Sequence, residues 1–160
     1  MRVFLVGPPG AGKSTVGRHL AAQLQMEFFD LDEVIKERAG ADIPWIFDVE
    51  GESGFRDRES AVVNDFASRN NVVIATGGGV VLRLENRVVM SSASTVVYLE
   101  ASLSTLVSRT AGKTKRPLLV GKDVRQVLLG VMTDREPLYR EVADITVAST
   151  GGSAKKLAGV

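Results

Sequence analysis

Apolar residues along this 160-residue chain follow two alternating patterns. Five short runs rich in Val, Ile, Leu or Phe are typical of strands that are buried on both faces of a parallel sheet. They cover residues 3–6, 27–29, 72–76, 95–99 and 145–147. Between them, apolar side chains recur every three or four residues, which predicts helices with one buried stripe each. These helical patterns begin at Val16, Phe55, Leu103 and Val124.

The alternation of strands and helices indicates a three-layer α/β/α architecture around a parallel sheet of about five strands. The length of the chain predicts a single domain over residues 1–160. Ligands of such folds bind at the carboxyl ends of the strands. The segments that follow the predicted strands are therefore the first candidates for a functional site.

Composition narrows the class of protein only slightly. The chain is 24% charged and 44% hydrophobic, which is ordinary for a globular domain. Its formal net charge of +1 gives no general argument for nucleic acid or membrane partners. The absence of cysteine favours a reducing compartment, and no signal segment or long apolar stretch is present. We expect a cytoplasmic monomer.

The strongest motif is "GPPGAGKST" at residues 7–15, here called the phosphate loop. It fits the pattern G-x-x-x-x-G-K-[ST], with a strand before it and an amphipathic helix after it, which is the setting that the motif requires. Its glycines let backbone N–H groups turn toward phosphate oxygens, and the helix N-terminus adds a positive dipole end. A glycine-rich turn that merely starts a helix is the alternative. The predicted ligand is ATP, because no guanine-reading N-K-x-D motif occurs in the sequence. The predicted nucleotide-binding residues of the loop are Gly10, Ala11, Gly12, Lys13, Ser14 and Thr15.

Two acidic residues follow the second predicted strand in the stretch "FFDLD". Alternation along a strand would direct the carboxylates of Asp30 and Asp32 the same way. Such a pair would steady Mg²⁺ and orient an acceptor hydroxyl. The alternative is that Asp32 caps a helix that begins near Glu33.

Arginines and glycines suggest what the acceptor is. Three glycines at residues 77–79, here called the glycine turn, would let a ligand approach the backbone closely, although a bare turn is the alternative. Arg56 and Glu59 are three apart on a predicted helix, so the carboxylate can hold the guanidinium. With Arg135, these features suit a small polyhydroxylated acid, since guanidinium binds carboxylate bidentately. Taken singly, each arginine is more often a solvated surface charge.

The stretch "AGKTKRPLLVGKD" at residues 111–123 combines glycines, a proline and several cations. This composition predicts a mobile loop. Closing over the phosphates, it would exclude water and stabilise the transferring charge. An ordinary solvated loop is the alternative.

Taken together, these motifs resemble the shikimate kinase family. "GPPGAGKST", "DLD", "FR" with Glu59, "TGGG", "RT" before "KRPLL", and "DREPLYREVAD" occur in that family's order and spacing, from residue 2 to about 147. The resemblance implies a P-loop kinase fold with a helical acceptor-binding region at about 31–61 and a lid at about 111–123. It also implies transfer of the γ-phosphoryl group of ATP to the 3-hydroxyl of shikimate, a step of chorismate and aromatic amino acid biosynthesis.

The resemblance implies roles for four acceptor residues. Asp32, Arg56, Gly78 and Arg135 would bind shikimate. Arg56 and Arg135 would hold its carboxylate. Asp32 would bond ring hydroxyls and is the candidate base.

It also implies roles on the nucleotide side. Ser14 and Asp30 would serve Mg²⁺, Asp30 through water. Arg116 would enter with the lid, meet the phosphates and act in catalysis with Lys13 and Asp32, while Arg109 would lie by the adenine.

Two other functions stay open at this point. A kinase of another small sugar acid, such as gluconate, is opposed by the glycine turn together with Arg56. A non-catalytic ATP-binding module is opposed by the presence of Lys13, Ser14, Asp32 and Arg116. Release of ADP that depends on the acceptor would discriminate between these classes.

Overall fold

A computed structural model describes residues 1–110 and 123–149. Its five strands form one parallel sheet with the order β2-β3-β1-β4-β5. The strands are β1 (Arg2–Val6), β2 (Glu27–Asp30), β3 (Val72–Ala75), β4 (Thr95–Glu100) and β5 (Ile145–Ala148). The predicted α/β fold with a five-stranded parallel sheet is therefore confirmed. Since all strands run the same way, their carboxyl ends meet at one edge.

Six helices connect and cover the strands within the described residues. They are α1 (Lys13–Leu24), α2 (Leu31–Ala39), α3 (Ile43–Phe66), α4 (Leu84–Ala93), α5 (Leu103–Thr110) and α6 (Val124–Val142), with a 3₁₀ turn at Val80–Leu82. The helical patterns predicted from periodicity correspond to α1, α3, α5 and α6. In the part of the chain that the structure describes, no helix is both long and apolar enough to cross a membrane.

Helix α4 has no counterpart in the periodicity analysis, because its pattern of polarity is inverted. Asn86 is buried, and its side-chain amide donates to the carbonyl oxygen of Val80 at 3.0 Å. Leu84 and Val88 are apolar but exposed. The helix is held by a polar contact and one buried methionine rather than by an apolar stripe.

The expectation that every strand is buried on both faces is wrong for the edge strands. The central strands fit it, since Phe4, Val6 and Ile74 are fully buried. Strand β5 lies at the edge of the sheet and is paired on one side by β4. Ile145 is consequently 50% exposed.

The predicted acceptor-binding region at 31–61 comprises α2 and most of α3. Leu31 and Phe55 share one apolar cluster with Phe4 of the central strand, so this region packs on the main core. Gly51, with φ of 74°, breaks α3 into two helical segments. Phe47 and Phe55, one from each segment, have ring centroids 4.9 Å apart.

Candidate active site

The phosphate loop joins β1 to α1 at the carboxyl edge of the sheet. Gly10 and Gly12 have φ of 90° and 94°, in the region that favours glycine. Gly7 is held closely, since a Cβ there would lie 2.8 Å from the carbonyl oxygen of Leu99. The Nζ atom of Lys13 donates to the carbonyl oxygens of Gly7 at 2.6 Å and Pro8 at 3.0 Å. The ammonium group is thus folded back over the loop.

The start of α1 is suited to an anion. Its N-cap is Gly12, which has no side chain to bond the first N–H groups. No acidic residue lies in the first turn. The positive end of the helix dipole is therefore not compensated by the helix's own side chains, and phosphate is a fitting partner.

Asp30 connects the phosphate loop to the next strand. Its Oδ2 atom accepts a hydrogen bond of 2.5 Å from the hydroxyl of Ser14. Its Oδ1 atom accepts from the backbone N–H of Asp32 at 3.0 Å and, more weakly, of Glu33 at 3.5 Å. Asp30 is therefore the N-cap of α2. The alternative that Asp32 is this cap is wrong.

The strand-alternation argument for the two aspartates is also wrong, because β2 ends at Asp30 and α2 begins at Leu31. The two carboxylates serve different partners. Asp30 faces Ser14, whereas an Oδ atom of Asp32 would lie 3.0 Å from a Cβ at Gly77. The two carboxylates therefore lie in different parts of the site.

The glycine turn is packed between the phosphate loop and Arg56 of α3. A Cβ at Gly79 would lie 2.4 Å from a guanidinium nitrogen of Arg56. A Cβ at Gly78 would lie 2.9 Å from Cδ of Pro9, in the phosphate loop. A larger residue at Gly78 or Gly79 would have to displace one of these groups. The turn is therefore glycine because of close packing.

Arg56 and Glu59 form a buried ion pair on α3. A guanidinium nitrogen of Arg56 donates to Oε1 of Glu59 at 3.0 Å, and the exposed fractions of the residues are 7% and 1%. Burial raises the pKa of Glu59 to about 7, although the charge of Arg56 opposes this shift. Asp32 and Arg135 also act on this carboxyl group, with opposite signs. We call Asp32, Arg56, Glu59 and Arg135 the acceptor cluster.

Helix α6 brings Arg135 and Tyr139 to the same cluster. Arg135 is 7% exposed, so it is not a solvated surface charge. The hydroxyl of Tyr139 donates to the carbonyl oxygen of Gly78 at 2.6 Å. Sequence reasoning did not identify Tyr139. Its position four residues after Arg135, and hence on the same helix face, is the signal that was available.

Arg109 lies against the backbone of the phosphate loop. One guanidinium nitrogen donates to the carbonyl oxygens of Gly10 and Ala11, both at 3.1 Å, and to the hydroxyl of Ser149 at 2.9 Å. The Ser149 hydroxyl itself donates to the carbonyl oxygen of Ala11 at 3.0 Å. Sequence reasoning did not identify Ser149 either. The expected contact of Arg109 with adenine stays a prediction, and Arg116 lies outside the described residues.

The raised pKa of Glu59 predicts a specific dependence of stability on pH. Its native pKa of about 7 lies above the ordinary value of 4.5, so the native state binds the proton more tightly. The associated stability is complete below pH of about 4.5 and is lost as the pH rises through about 7. Relative to Glu59→Gln, the free energy of unfolding of the wild type should fall by on the order of 3 kcal/mol over this range. Urea unfolding at several pH values measures it, and a difference that stays constant with pH would contradict the assignment.

Comparison with known proteins supports the resemblance inferred from the motifs. The family model described as "Shikimate kinase" matches residues 9–159. A shikimate kinase of Vibrio cholerae is 56% identical over 156 residues, covering 98% of this chain and 90% of that protein. The structure of shikimate kinase from Acinetobacter baumannii in complex with shikimate has a TM-score of 0.97 and 46% identity, and covers 99% of this chain and 88% of that one.

A gluconokinase from Sinorhizobium meliloti is a more distant structural neighbour. It has a TM-score of 0.61 and 20% identity, over 98% of this chain and 88% of that one, so it shares the fold alone. The family match and the relative from Vibrio cholerae each extend over nearly the whole chain. The chain therefore belongs to the shikimate kinase family.

Proposed function

We propose that this protein transfers the γ-phosphoryl group of ATP to the 3-hydroxyl of shikimate, in chorismate biosynthesis. Membership of the shikimate kinase family supports the activity. The single structural observation that carries the proposal is the packing of the glycine turn between Pro9 of the phosphate loop and Arg56 of the acceptor cluster. This packing supports a triphosphate site that lies next to a site for a small acid.

The acceptor cluster provides the chemistry for binding a hydroxylated carboxylate. Arg56 and Arg135 are buried cations, and such cations are stabilised by a bound anion. In our proposal both arginines hold the carboxylate of shikimate. Asp32 accepts a hydrogen bond from the ring hydroxyl that becomes phosphorylated, and Gly78 provides backbone contact.

The residues present fit a bound Mg²⁺ ion. The Ser14 hydroxyl and the Asp30 carboxylate are 2.5 Å apart, and both present the oxygen donors that Mg²⁺ prefers. Magnesium in kinases is typically held by few protein ligands together with phosphate oxygens. We propose that Ser14 binds the ion directly and Asp30 through water. When bound, the ion neutralises charge that develops on the phosphates.

The protein's own contribution to transfer is positioning and electrostatic stabilisation. The loop amides and the start of α1 hold the phosphates. Lys13 exchanges its two carbonyl partners for phosphate oxygens as the charge on them grows. Asp32 aligns the acceptor hydroxyl, and we propose that Arg116 completes the charge neutralisation from the lid.

The direct test is release of ADP from ATP and Mg²⁺, with shikimate, with gluconate, and with neither. We expect a large increase with shikimate alone. Stimulation by gluconate would favour the sugar-acid kinase instead. Bound ATP without stimulation by either acid would favour a nucleotide-binding module.

The remaining expectations concern the setting of the enzyme. We propose that it acts as a monomer in the cytoplasm, with ATP and shikimate as its partners and without nucleic acid or membrane. Light scattering of the purified protein, with and without both substrates, measures the oligomeric state. A stable dimer would refute the monomer.

A further inference from the structure

Tyr139 is a buried phenol whose hydroxyl reaches the glycine turn. The residue is 0% exposed, and its ring stacks on that of Tyr98 with centroids 5.2 Å apart. Its hydroxyl donates to the carbonyl oxygen of Gly78 at 2.6 Å, across 61 positions of sequence. Burying a hydroxyl is unfavourable unless it is hydrogen-bonded. This contact therefore constrains the ring and the turn together.

The hydrogen bond fixes the orientation of one peptide group in the turn. The carbonyl of Gly78 and the N–H of Gly79 belong to the same planar unit and point in opposite directions. Consecutive glycines allow many backbone orientations. By holding the carbonyl, Tyr139 selects the direction of the Gly79 N–H, in a residue whose Cα packs closely against the guanidinium of Arg56.

Tyr139 also neighbours the second acceptor arginine. Arg135 and Tyr139 are four apart on α6 and so share one face of the helix. Burial raises the pKa of the Tyr139 hydroxyl, while the guanidinium of Arg135 acts on it in the opposite direction. One side chain thus contacts the glycine turn and interacts with an arginine of the acceptor cluster.

We propose that Tyr139 is a positioning residue for the acceptor, which holds the glycine turn and Arg135 in the arrangement that binds the substrate carboxylate. The inference rests on the function proposed above, because that function identifies the acceptor. Tyr139 acts through the turn and through Arg135. Its removal should therefore change acceptor affinity and leave nucleotide affinity unchanged.

Tyr139→Phe tests this, because it removes only the hydroxyl oxygen and keeps the stacked ring. We expect the KM for shikimate to rise about three- to tenfold, with the KM for ATP unchanged. Tyr98→Phe is the matched control, since it removes the same atom from the same ring pair. The Tyr98 hydroxyl instead donates to a carboxylate oxygen of Glu136 at 3.2 Å. Both KM values of Tyr98→Phe should therefore stay at the wild-type level. Thermal unfolding is measured for both variants.

The outcomes separate this inference from the proposed function. Shikimate-stimulated ADP release by the wild type tests the function alone, and its absence would overturn both. If the wild type is stimulated and Tyr139→Phe keeps the wild-type KM for shikimate, only the positioning role is overturned. Three other results would assign Tyr139 to stability and also overturn the positioning role. They are an equal rise in the KM for ATP, an equal effect of Tyr98→Phe, and a Tyr139→Phe protein that does not fold.

Discussion

Lys13→Ala should lower the rate of phosphoryl transfer by on the order of 10³, the scale of removing one preorganised donor from a transition state. The variant should remain folded, because the part-buried ammonium group of Lys13 bonds two backbone carbonyls and fills no apolar core. Steady-state ADP release at saturating shikimate measures the rate. Thermal unfolding measures the fold.

Lys36→Ala is the matched control for this experiment. Lys36 also lies on a helix, but its ammonium group pairs with Glu33 at 3.5 Å on the surface. Exposed pairs of this kind contribute little to stability, and the residue lies on α2 outside the phosphate loop. Wild-type turnover is expected. Retained turnover in Lys13→Ala would refute the role given to the loop lysine.

Arg135→Ala should raise the KM for shikimate by about 10- to 150-fold, which corresponds to losing a charge-assisted contact of about 1.5–3 kcal/mol. The Arg135 side chain is 7% exposed and interacts electrostatically with Glu59 and Tyr139, so its charge acts within the acceptor cluster. The KM for ATP should change little, because our proposal assigns Arg135 to the acceptor and not to the nucleotide. Separate titrations of the two substrates measure both constants.

Arg140→Ala provides the control on the same helix. The Arg140 side chain is 49% exposed and pairs with Glu100 and Glu136 at the surface. Both KM values should stay at the wild-type level, since surface pairs are weak. Equal loss of shikimate and ATP affinity in Arg135→Ala would contradict the assignment of Arg135 to the acceptor.

Geometry and contacts that depend on residues close together in sequence were predicted well. The phosphate loop is contiguous, so its motif already contains the geometry that its glycines and Lys13 adopt. The pairing of Arg56 with Glu59 follows from three-residue spacing on a helix, and the structure has this contact. The family resemblance, which rested on several such motifs in order, is confirmed by the comparisons.

Features that depend on where distant segments meet were missed. The contact of Tyr139 with Gly78 depends on how α6 packs beside the carboxyl edge of the sheet, which no local pattern encodes. The different partners of Asp30 and Asp32 depend on where β2 ends and α2 begins, a boundary that alternation alone misplaces. Helix α4 was missed because a buried asparagine replaced the apolar stripe.

The hydrogen bond between Ser149 and Ala11 cannot form until both residues have been synthesised. The two residues are 138 positions apart, and Ser149 follows the last strand of the sheet. During synthesis the phosphate loop is therefore made well before the hydroxyl that contacts it. The nascent chain therefore holds its nucleotide loop without this contact until β5 has joined the edge of the sheet. The loop thus reaches its fully hydrogen-bonded form only after the last strand of the sheet has been made, although its motif precedes that strand in sequence.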